Sequence, residues 1–318
     1  MIDLSLSDDQ RQIVDSIVDL LAEKSPVSRL RPSGKPVDVH GDLVQWGWFG
    51  IGLPEEQGGL GLGIAEEVLL HFEAGRFLLS TTVLATTLAV RLSGNDRTDL
   101  LSGEKRAALA LADGDDAYVF DRGDASLLVV FEGGEIWLVP ADAFNGENIT
   151  GFDETLDTKK GTLDRGKRLG AEPADRALLL VSAVLAGIAR SSCDLAVEYA
   201  KIREQFGQPI GAFQAIKHMC SDMGARAYAA EAQTKMAAVM ADATPQAAGF
   251  DISAAVLTAL GAARDNAADA IQVHGGIGFT AECDAHFYLK RAHVLGRVLG
   301  GPEACRDRIL VKRLSGAA

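Results

Sequence analysis

The sequence predicts a mainly helical protein with a small β-domain between two helical domains. Three observations support this. Apolar residues recur at helical spacing in the first hundred residues, short apolar runs alternate with Gly and Asp in the middle, and long helical segments with short connections fill the last part. We interpret these stretches as an N-terminal helical domain (1–103), a shortened β-domain (104–170) and a C-terminal helical bundle (171–318).

The first domain begins with a helix start signal. Ser7 precedes an apolar-periodic segment and Gln10 follows three residues later, which is the pattern of a capping box. The Gly- and Pro-containing stretch WGWFGIGLPEEQGGLGLG indicates a loop. The segment IAEEVLLHFEAGRFLLSTTVLATTLAVRL then predicts renewed helix, with a break near Gly75.

The middle domain has four strand-like runs. They are AALALAD, DAYVF, ASLLVVFE and GEIWLVP, separated by turn-forming Gly and Asp, and the β region is expected to end near Leu169. Four long helices are predicted beyond it, near 174–205, 211–241, 250–273 and 280–297. Their lengths and short connections favour an antiparallel bundle.

Charge and composition exclude several classes of protein. The 318 residues carry a net charge of −13, which disfavours nucleic acid or an anionic membrane as a partner. The longest apolar run, Ala177 to Ala189, is shorter than the roughly 20 residues that span a bilayer. No signal peptide is visible at the amino terminus, and the four cysteines form no C-x-x-C pair. We therefore expect a cytoplasmic protein with reduced thiols.

The segment REQFGQPIGAFQ carries the first candidate binding residues. Arg203 and Phe206 are expected to end one long helix, and Gln214 to lie on the first turn of the next. The Arg203 fork suits a pyrophosphate, the Phe206 ring can stack on a flat heterocycle, and Gln214 both donates and accepts hydrogen bonds. A solvent-facing arginine, a core phenylalanine and a surface glutamine are the alternative interpretation.

The second candidate segment is QVHGGIGFT, with Gln272, Gly275 and Gly276. Two adjacent glycines after a helix permit a left-handed cap, and they let a ligand approach the backbone because no Cβ intervenes. The free amides of such a turn can hold phosphate. A plain helix cap is the alternative for this segment taken alone.

Together the two segments resemble the acyl-CoA dehydrogenase family. KIREQFGQPIGAFQAIKHMCSDM, IQVHGGIGFTAE some sixty residues later, and GWFGIGLPEEQGGLGLGIAEEVLLHFEAGR match that family in order and spacing over both helical domains. The resemblance implies the fold predicted above and the α,β-dehydrogenation of an acyl-CoA thioester with FAD. It also implies that Arg203, Phe206 and Gln214 contact the FAD of a neighbouring subunit.

The same resemblance assigns contacts with the adenosine pyrophosphate to Gln272, Gly275 and Gly276. The family's catalytic glutamate, however, has no counterpart. An ungapped count from Gln272 places its position at Leu299, which cannot accept a proton. Glu303 lies beyond Pro302 and is expected to be a first-turn helix residue.

Some family members place the base at the start of the first bundle helix. In this sequence that position is Ala177, and Asp175 lies two residues away. Asp175 is expected to cap the helix and is only the weak alternative for a base. The family's Thr-Glu-Pro…Gly-Ser-Asp stretch and its Trp-containing strand, which hold the flavin ring, are not found between residues 104 and 170.

These departures favour one functional hypothesis over two others. The favoured one is a non-catalytic subunit that completes the FAD site of a longer acyl-CoA dehydrogenase chain. By analogy with short subunits of α2β2 enzymes of actinobacterial sterol breakdown, the substrate is a steroid-derived CoA ester. An electron-transfer flavoprotein or another acceptor then takes the electrons. The alternatives are an active homo-oligomer that uses Asp175 as base and a non-redox scaffold of the same fold.

Overall fold

The computed structural model describes residues 4–35, 37–245 and 247–315. The first residues, on which the absence of a signal peptide partly depends, lie outside these ranges. The helices are α1 (Asp8–Lys24), α2 (His40–Trp46), α3 (Ile64–Arg76), α4 (Thr81–Leu92), α5 (Thr98–Leu101), α6 (Asp175–Ile202), α7 (Gln214–Ala243), α8 (Gly249–His274), α9 (Ala285–Val298) and α10 (Gly301–Ser315). The strands are β1 (Ala107–Asp113), β2 (Asp116–Phe120), β3 (Leu127–Glu132), β4 (Glu135–Pro140), β5 (Phe144–Ile149), β6 (Thr158–Leu163), β7 (Gly170–Pro173), β8 (Glu204–Gln205) and β9 (Gln208–Pro209).

This order of elements confirms the predicted fold class of helices, a small sheet and a helical bundle. The chain divides into two compact units by its internal contacts. The bundle unit comprises Met1–Val37, Val68–Leu78 and Val181–Ala318, and the sheet unit comprises Asp38–Glu67 and Leu79–Leu180. The three-domain division at residues 103 and 170 stays a prediction.

The sheet unit contains one seven-stranded sheet in the order β5-β6-β2-β1-β3-β4-β7. The β1–β3 pair is parallel, and the other pairs are antiparallel. Side chains of β1 to β4 form its core around the fully buried Trp137 and Leu128. The sheet continues to Pro173, because β7 pairs with β4; the expectation that the β region ends near Leu169 was wrong by four residues.

The bundle unit is joined at its centre by a buried amide. The Asn266 side chain on α8 donates to the carbonyls of Ala189 on α6 and Met223 on α7, each at 2.9 Å. Its oxygen accepts from Arg226 Nε at 2.8 Å. Both the nitrogen and the oxygen of this buried amide are therefore hydrogen-bonded, as is usual in a packed interior. One side chain thus fixes α6, α7 and α8 relative to one another.

The predicted helix break near Gly75 is confirmed, because α3 ends one residue later, although Gly75 itself lies inside the helix. The α3 helix runs through Gly75 and ends at Arg76, and the break falls in the four residues before Thr81. A Cβ at Gly75 would stand 1.9 Å from the Val184 carbonyl oxygen on α6, and one at Gly187 would stand 2.0 Å from the Phe72 oxygen. Glycine is needed here so that two helix backbones can touch.

The apolar run Ala177–Ala189 belongs to α6, a helix of 28 residues. By length and composition this helix could cross a membrane, although the run alone was judged too short. In its most apolar window, 72% of the residues are buried inside the protein. Such burial is typical of a helix in the core of a packed protein. No other described helix meets both criteria.

Candidate functional site

A tight hairpin follows the end of α6 and carries two of the predicted residues. The helix ends at Ile202, so Arg203 and Phe206 lie beyond it rather than at its end as expected. Gln205 pairs with Gln208 across the two-residue turn Phe206–Gly207, whose φ angles are 53° and 78°. Two positive φ angles give the hairpin turn whose twist matches that of its strands. We refer to Glu204–Pro209 as the hairpin.

Phe206 is held at the hairpin tip in a strained and exposed position. Its φ of 53° is in the left-handed region, which side chains other than Asn and Asp rarely adopt. The residue is 93% exposed, and its ring meets Phe213 edge to face at a centroid distance of 6.1 Å. An exposed aromatic ring on a strained backbone is typical of a contact site. The predicted alternative of a core phenylalanine is wrong.

Arg203 and Gln214 lie at the two ends of the segment that contains the hairpin. The Arg203 N–H donates to the Tyr199 carbonyl at 2.9 Å, and its carbonyl accepts from Ile210 N at 2.7 Å. Its side chain is exposed. Gln214 is the first residue of α7, as predicted, and is also exposed. A cation, an aromatic ring and an amide therefore all face outward along a dozen residues.

A glycine turn (Gly275–Phe279) follows α8. Gly275 has φ 62° and ψ −140°, which differs from the predicted left-handed cap because ψ is strongly negative. Only glycine adopts this region readily. No heavy atom lies within 4 Å of the Cβ position of Gly275 or Gly276, so the backbone is open to a ligand. Gln272, on the last turn of α8, is exposed.

The fold brings the hairpin and the glycine turn into one neighbourhood. The ring of Tyr199, four residues before Arg203, stacks on the His274 ring with centroids 4.2 Å apart and planes at 24°. Both helix ends also share an apolar cluster with the start of α7, including Ala200, Ile271 and Met219. The helix ends that lead into the two predicted segments therefore lie side by side in the bundle unit.

The position predicted for a catalytic base holds no carboxylate. Leu299 is fully buried at the end of α9, and Gly300 and Gly301 after it have φ near 80°. Glu303 lies in the first turn of α10 and is exposed, as expected. Asp175 is the first residue of α6 and is half-buried.

Two features of the sheet unit bear on the expected absence of a pocket for a flat ring. The β1–β2 connection is a two-residue turn, Gly114–Asp115, with Asp113 paired to Asp116. β4 does contain a tryptophan, which the sequence analysis overlooked, but Trp137 is fully buried in the sheet core. The Arg168 guanidinium lies 4.0 Å from the centroid of its ring. This ring is thus unavailable for contact with a ligand.

A buried charge cluster, which no motif predicted, surrounds the start of α6 in the sheet unit. Arg176 pairs with the buried Glu67 of α3, and a Cβ on Gly52 would stand 2.1 Å from the Glu67 Oε1. Burial raises the pKa of Glu172, although Arg91 and Arg176 oppose this. Burial, with Arg176 nearby, also lowers the pKa of Arg91. Because its members come from three helices and a strand, no sequence spacing could reveal it.

The described residues contain no group of three or more His, Cys, Asp or Glu side chains arranged to hold a metal ion. All four cysteines are free thiols. The groups available on the bundle surface are instead a guanidinium, side-chain amides and a glycine backbone with open space beside it. This set fits a phosphate-bearing cofactor with a flat ring better than a metal ion.

Comparisons with known proteins identify the class. The family model of the acyl-CoA dehydrogenase N-terminal domain matches residues 7–96, and that of the C-terminal domain matches residues 163–315. The chain therefore belongs to the acyl-CoA dehydrogenase family, which implies FAD as cofactor and an oxidoreductase class. The resemblance inferred from the sequence is confirmed.

The chain is similar in sequence to two curated relatives and in fold to two solved structures. The chain is 37% identical over 286 residues to acyl-CoA dehydrogenase FadE34 of Mycobacterium tuberculosis, covering 83% of this chain but 40% of that protein. It is 34% identical over 274 residues to acyl-CoA dehydrogenase IpdE2 of the same organism, covering 83% of each. A variant of the Tcur3481–Tcur3483 steroid ACAD has a similar fold, with a TM-score of 0.82, 22% identity and coverage of 98% and 99%. The ChsE4–ChsE5 complex of Mycobacterium tuberculosis also has a similar fold, with a TM-score of 0.80, 20% identity and coverage of 98% of this chain and 99% of that chain.

Proposed function

We propose that this chain is a non-catalytic subunit of an FAD-dependent acyl-CoA dehydrogenase and completes the FAD site of a longer catalytic partner. The observation that carries the proposal is the pairing of an outward-facing, strained Phe206 with a buried Leu299 at the base position. The contact surface for a cofactor is kept, whereas the group that would abstract the proton is replaced by an apolar side chain. A chain built this way contributes binding but no general base.

The residues of the bundle surface would hold different parts of FAD. Arg203 offers a cation to the pyrophosphate, Phe206 a face for stacking, and Gln214 an amide. Gln272 and the backbone at Gly275 and Gly276, which a ligand can approach closely because no side chain intervenes, suit the adenosine pyrophosphate portion. FAD, when bound, supplies the hydride acceptor for the α,β-dehydrogenation of an acyl-CoA thioester. The buried Trp137 and the two-residue turn after β1 favour a flavin ring held by the partner rather than by this sheet unit.

The relatives support the assembly and the substrate class. Two structures of like fold are the ChsE4–ChsE5 complex and the Tcur3481–Tcur3483 enzyme, each named for two components, and the second is described as a steroid ACAD. We therefore propose a heterotetramer with a longer subunit, acting on a steroid-derived CoA ester in the cytoplasm. An electron-transfer flavoprotein or another acceptor would reoxidise the flavin. We also propose the functional division into residues 1–103, 104–170 and 171–318.

Flavin stoichiometry tests the proposal. The chain is expressed alone and together with longer acyl-CoA dehydrogenase chains of the same organism, and FAD is measured by absorbance and extraction. We expect little flavin on the chain alone and about one FAD per pair in a heteromer. One FAD per chain without a partner would overturn the proposal and favour the homo-oligomer with Asp175 as base. A lack of both complex and flavin would favour the scaffold.

A single substitution refines this test. Arg203→Ala should lower the FAD affinity of the complex by about ten- to a hundredfold, because a hydrogen bond to a charged group contributes about 1.5–3 kcal/mol. Arg11→Ala, an exposed arginine of α1 that pairs with Asp8, is the matched control and should leave FAD affinity unchanged. Equal affinities for the two variants would contradict the assigned role of Arg203.

A further inference from the structure

The stacked pair of Tyr199 and His274 joins the end of α6, which leads into the hairpin, to the end of α8, which leads into the glycine turn. Tyr199 lies on the last turn of α6 and His274 is the last residue of α8. Their centroids are 4.2 Å apart with nearly parallel planes, whereas the two residues are 75 positions apart in sequence. Aromatic contacts of this kind contribute beyond the area they bury.

The His274 ring is fixed from two sides. Its Nδ1 lies 2.7 Å from the carbonyl oxygen of Ala270, and a carbonyl only accepts, so Nδ1 carries the hydrogen. The glycine turn folds back onto the same residue: a Cβ on Gly278 would stand 3.1 Å from the His274 Cβ and 2.5 Å from the Ile271 oxygen. The residue is only 8% exposed. Its orientation is therefore set by its surroundings rather than by solvent.

Each ring is attached directly to one cofactor-contact segment. The Tyr199 carbonyl accepts the backbone N–H of Arg203 at 2.9 Å, which is the bond that leads into the hairpin. His274 is joined by a peptide bond to Gly275, where the backbone enters the positive-φ conformation. A shift of either ring would thus move the backbone that presents Arg203 or the glycine turn.

We propose that Tyr199 and His274 are positioning residues that align the hairpin with the glycine turn, so that both contact one FAD molecule. The inference rests on the proposed function, because it concerns the alignment of that same site. Neither ring is a contact residue in this proposal. The effect on FAD is transmitted through the backbone of the two segments.

Affinity measurements on the heteromeric complex test the pair. Tyr199→Phe keeps the stack and should bind FAD within about twofold of wild type. Tyr199→Leu and His274→Ala should each lower FAD affinity by about three- to tenfold, the range that an aromatic pair supports. The double variant should lose no more than either single one, because the two substitutions remove the same interaction. Tyr118→Leu, in β2 of the sheet unit, is the control and should leave the affinity unchanged.

A second readout uses the chain without FAD. In nuclear magnetic resonance spectra, the His274 ring should show the Nδ1–H tautomer and upfield ring protons from the Tyr199 stack, and Tyr199→Leu should abolish the upfield shift. If that shift is lost but FAD affinity stays at the wild-type value, or if the single losses add in the double variant, the positioning role is wrong. If the wild-type complex takes up no FAD, the proposed function fails. If the wild-type complex takes up FAD and the stack variants bind it as tightly, only the positioning role fails.

Discussion

Arg29 is a largely buried cation in the bundle unit, and its guanidinium donates hydrogen bonds to backbone carbonyls. Its Nη1 donates to the oxygens of Ser25 at 2.9 Å and Phe77 at 2.9 Å, and its Nη2 to that of Leu78 at 2.7 Å. Burial, with Arg291 nearby, lowers the pKa of Arg29 to about 10, so it remains a cation at neutral pH. The carbonyls at the end of α3 thereby find a donor, as a helix end requires. Leu78, which accepts one of these bonds, has a positive φ of 47°.

We expect the buried carboxyl of Glu73 to make the stability of the protein depend on pH. Burial raises the pKa of this carboxyl, although Arg76, 2.9 Å away, lowers it; Glu231 and Asp194 raise it further. A raised folded pKa gives stability that is present below the unfolded value of 4.5 and lost as pH rises through the folded value. Glu73→Gln has no such proton to lose. Its free energy of unfolding, relative to wild type, should therefore increase as pH rises from about 4.

Urea unfolding at a series of pH values measures this difference. Glu198→Gln is the matched control, because Glu198 forms the same i,i+3 pair with Lys201 but on the exposed surface. Exposed ion pairs contribute about 0–1 kcal/mol to stability. The difference in free energy of unfolding between Glu198→Gln and wild type should therefore change little with pH. A Glu73→Gln curve that is flat as well, or that falls with rising pH, would refute the explanation.

At the scale of elements, the contact between α3 and α6 depends on two glycines. Gly75→Ala would place a methyl group 1.9 Å from the Val184 oxygen, a distance that forces the two helices apart. We expect a loss of about 1–3 kcal/mol in the free energy of unfolding, measured by urea or heat. Gly261→Ala on α8 is the control, since no atom lies within 4 Å of its Cβ position. That variant should gain up to about 1 kcal/mol from helix propensity. Equal stability of the two variants would mean that α3 and α6 do not depend on close contact.

The elements also show how far sequence patterns reach. The capping box of Ser7 and Gln10 is present at α1, because it depends on residues three apart. Strands β1 to β4 were predicted from their apolar runs, whereas β5 to β9 were missed. β5 (Phe144–Ile149) exposes every residue after its first, so it lacks the alternation by which a strand is recognised. The helix break near Gly75 was predicted, whereas the close contact of Gly75 with α6 was not, because it depends on a residue far away in sequence.

The candidate site was predictable in its residues and not in its arrangement. Arg203, Phe206 and Gln214 were identified from a short motif, and all three are exposed. The hairpin that carries Phe206 was not foreseen, because its turn depends on a φ of 53° that a phenylalanine rarely adopts. The contact between Tyr199 and His274 joins residues far apart in sequence. Such contacts are set by packing of the whole bundle unit.

At the scale of the whole molecule, acidity and burial lead to one expectation about membranes. The net charge is −13, and the apolar helix α6 has 72% of its most apolar window buried. In a flotation assay with vesicles that contain anionic lipid, we expect the folded protein to stay at the bottom of the gradient, because the charge repels it and the helix is not available. Heat-unfolded protein, which exposes α6, is the control. Flotation of the folded protein would show that α6 leaves the interior.

The turn between β1 and β2 has a practical consequence. Asp113 and Asp116 pair across it, and no atom lies within 4 Å of the Cβ position of Gly114. Exposed tips of this kind tolerate insertions well. A short peptide carrying a fluorophore, inserted between Gly114 and Asp115, would sit on a rigid ladder in the unit that lacks the hairpin and the glycine turn. Energy transfer from that dye to a labelled partner subunit would report assembly in real time.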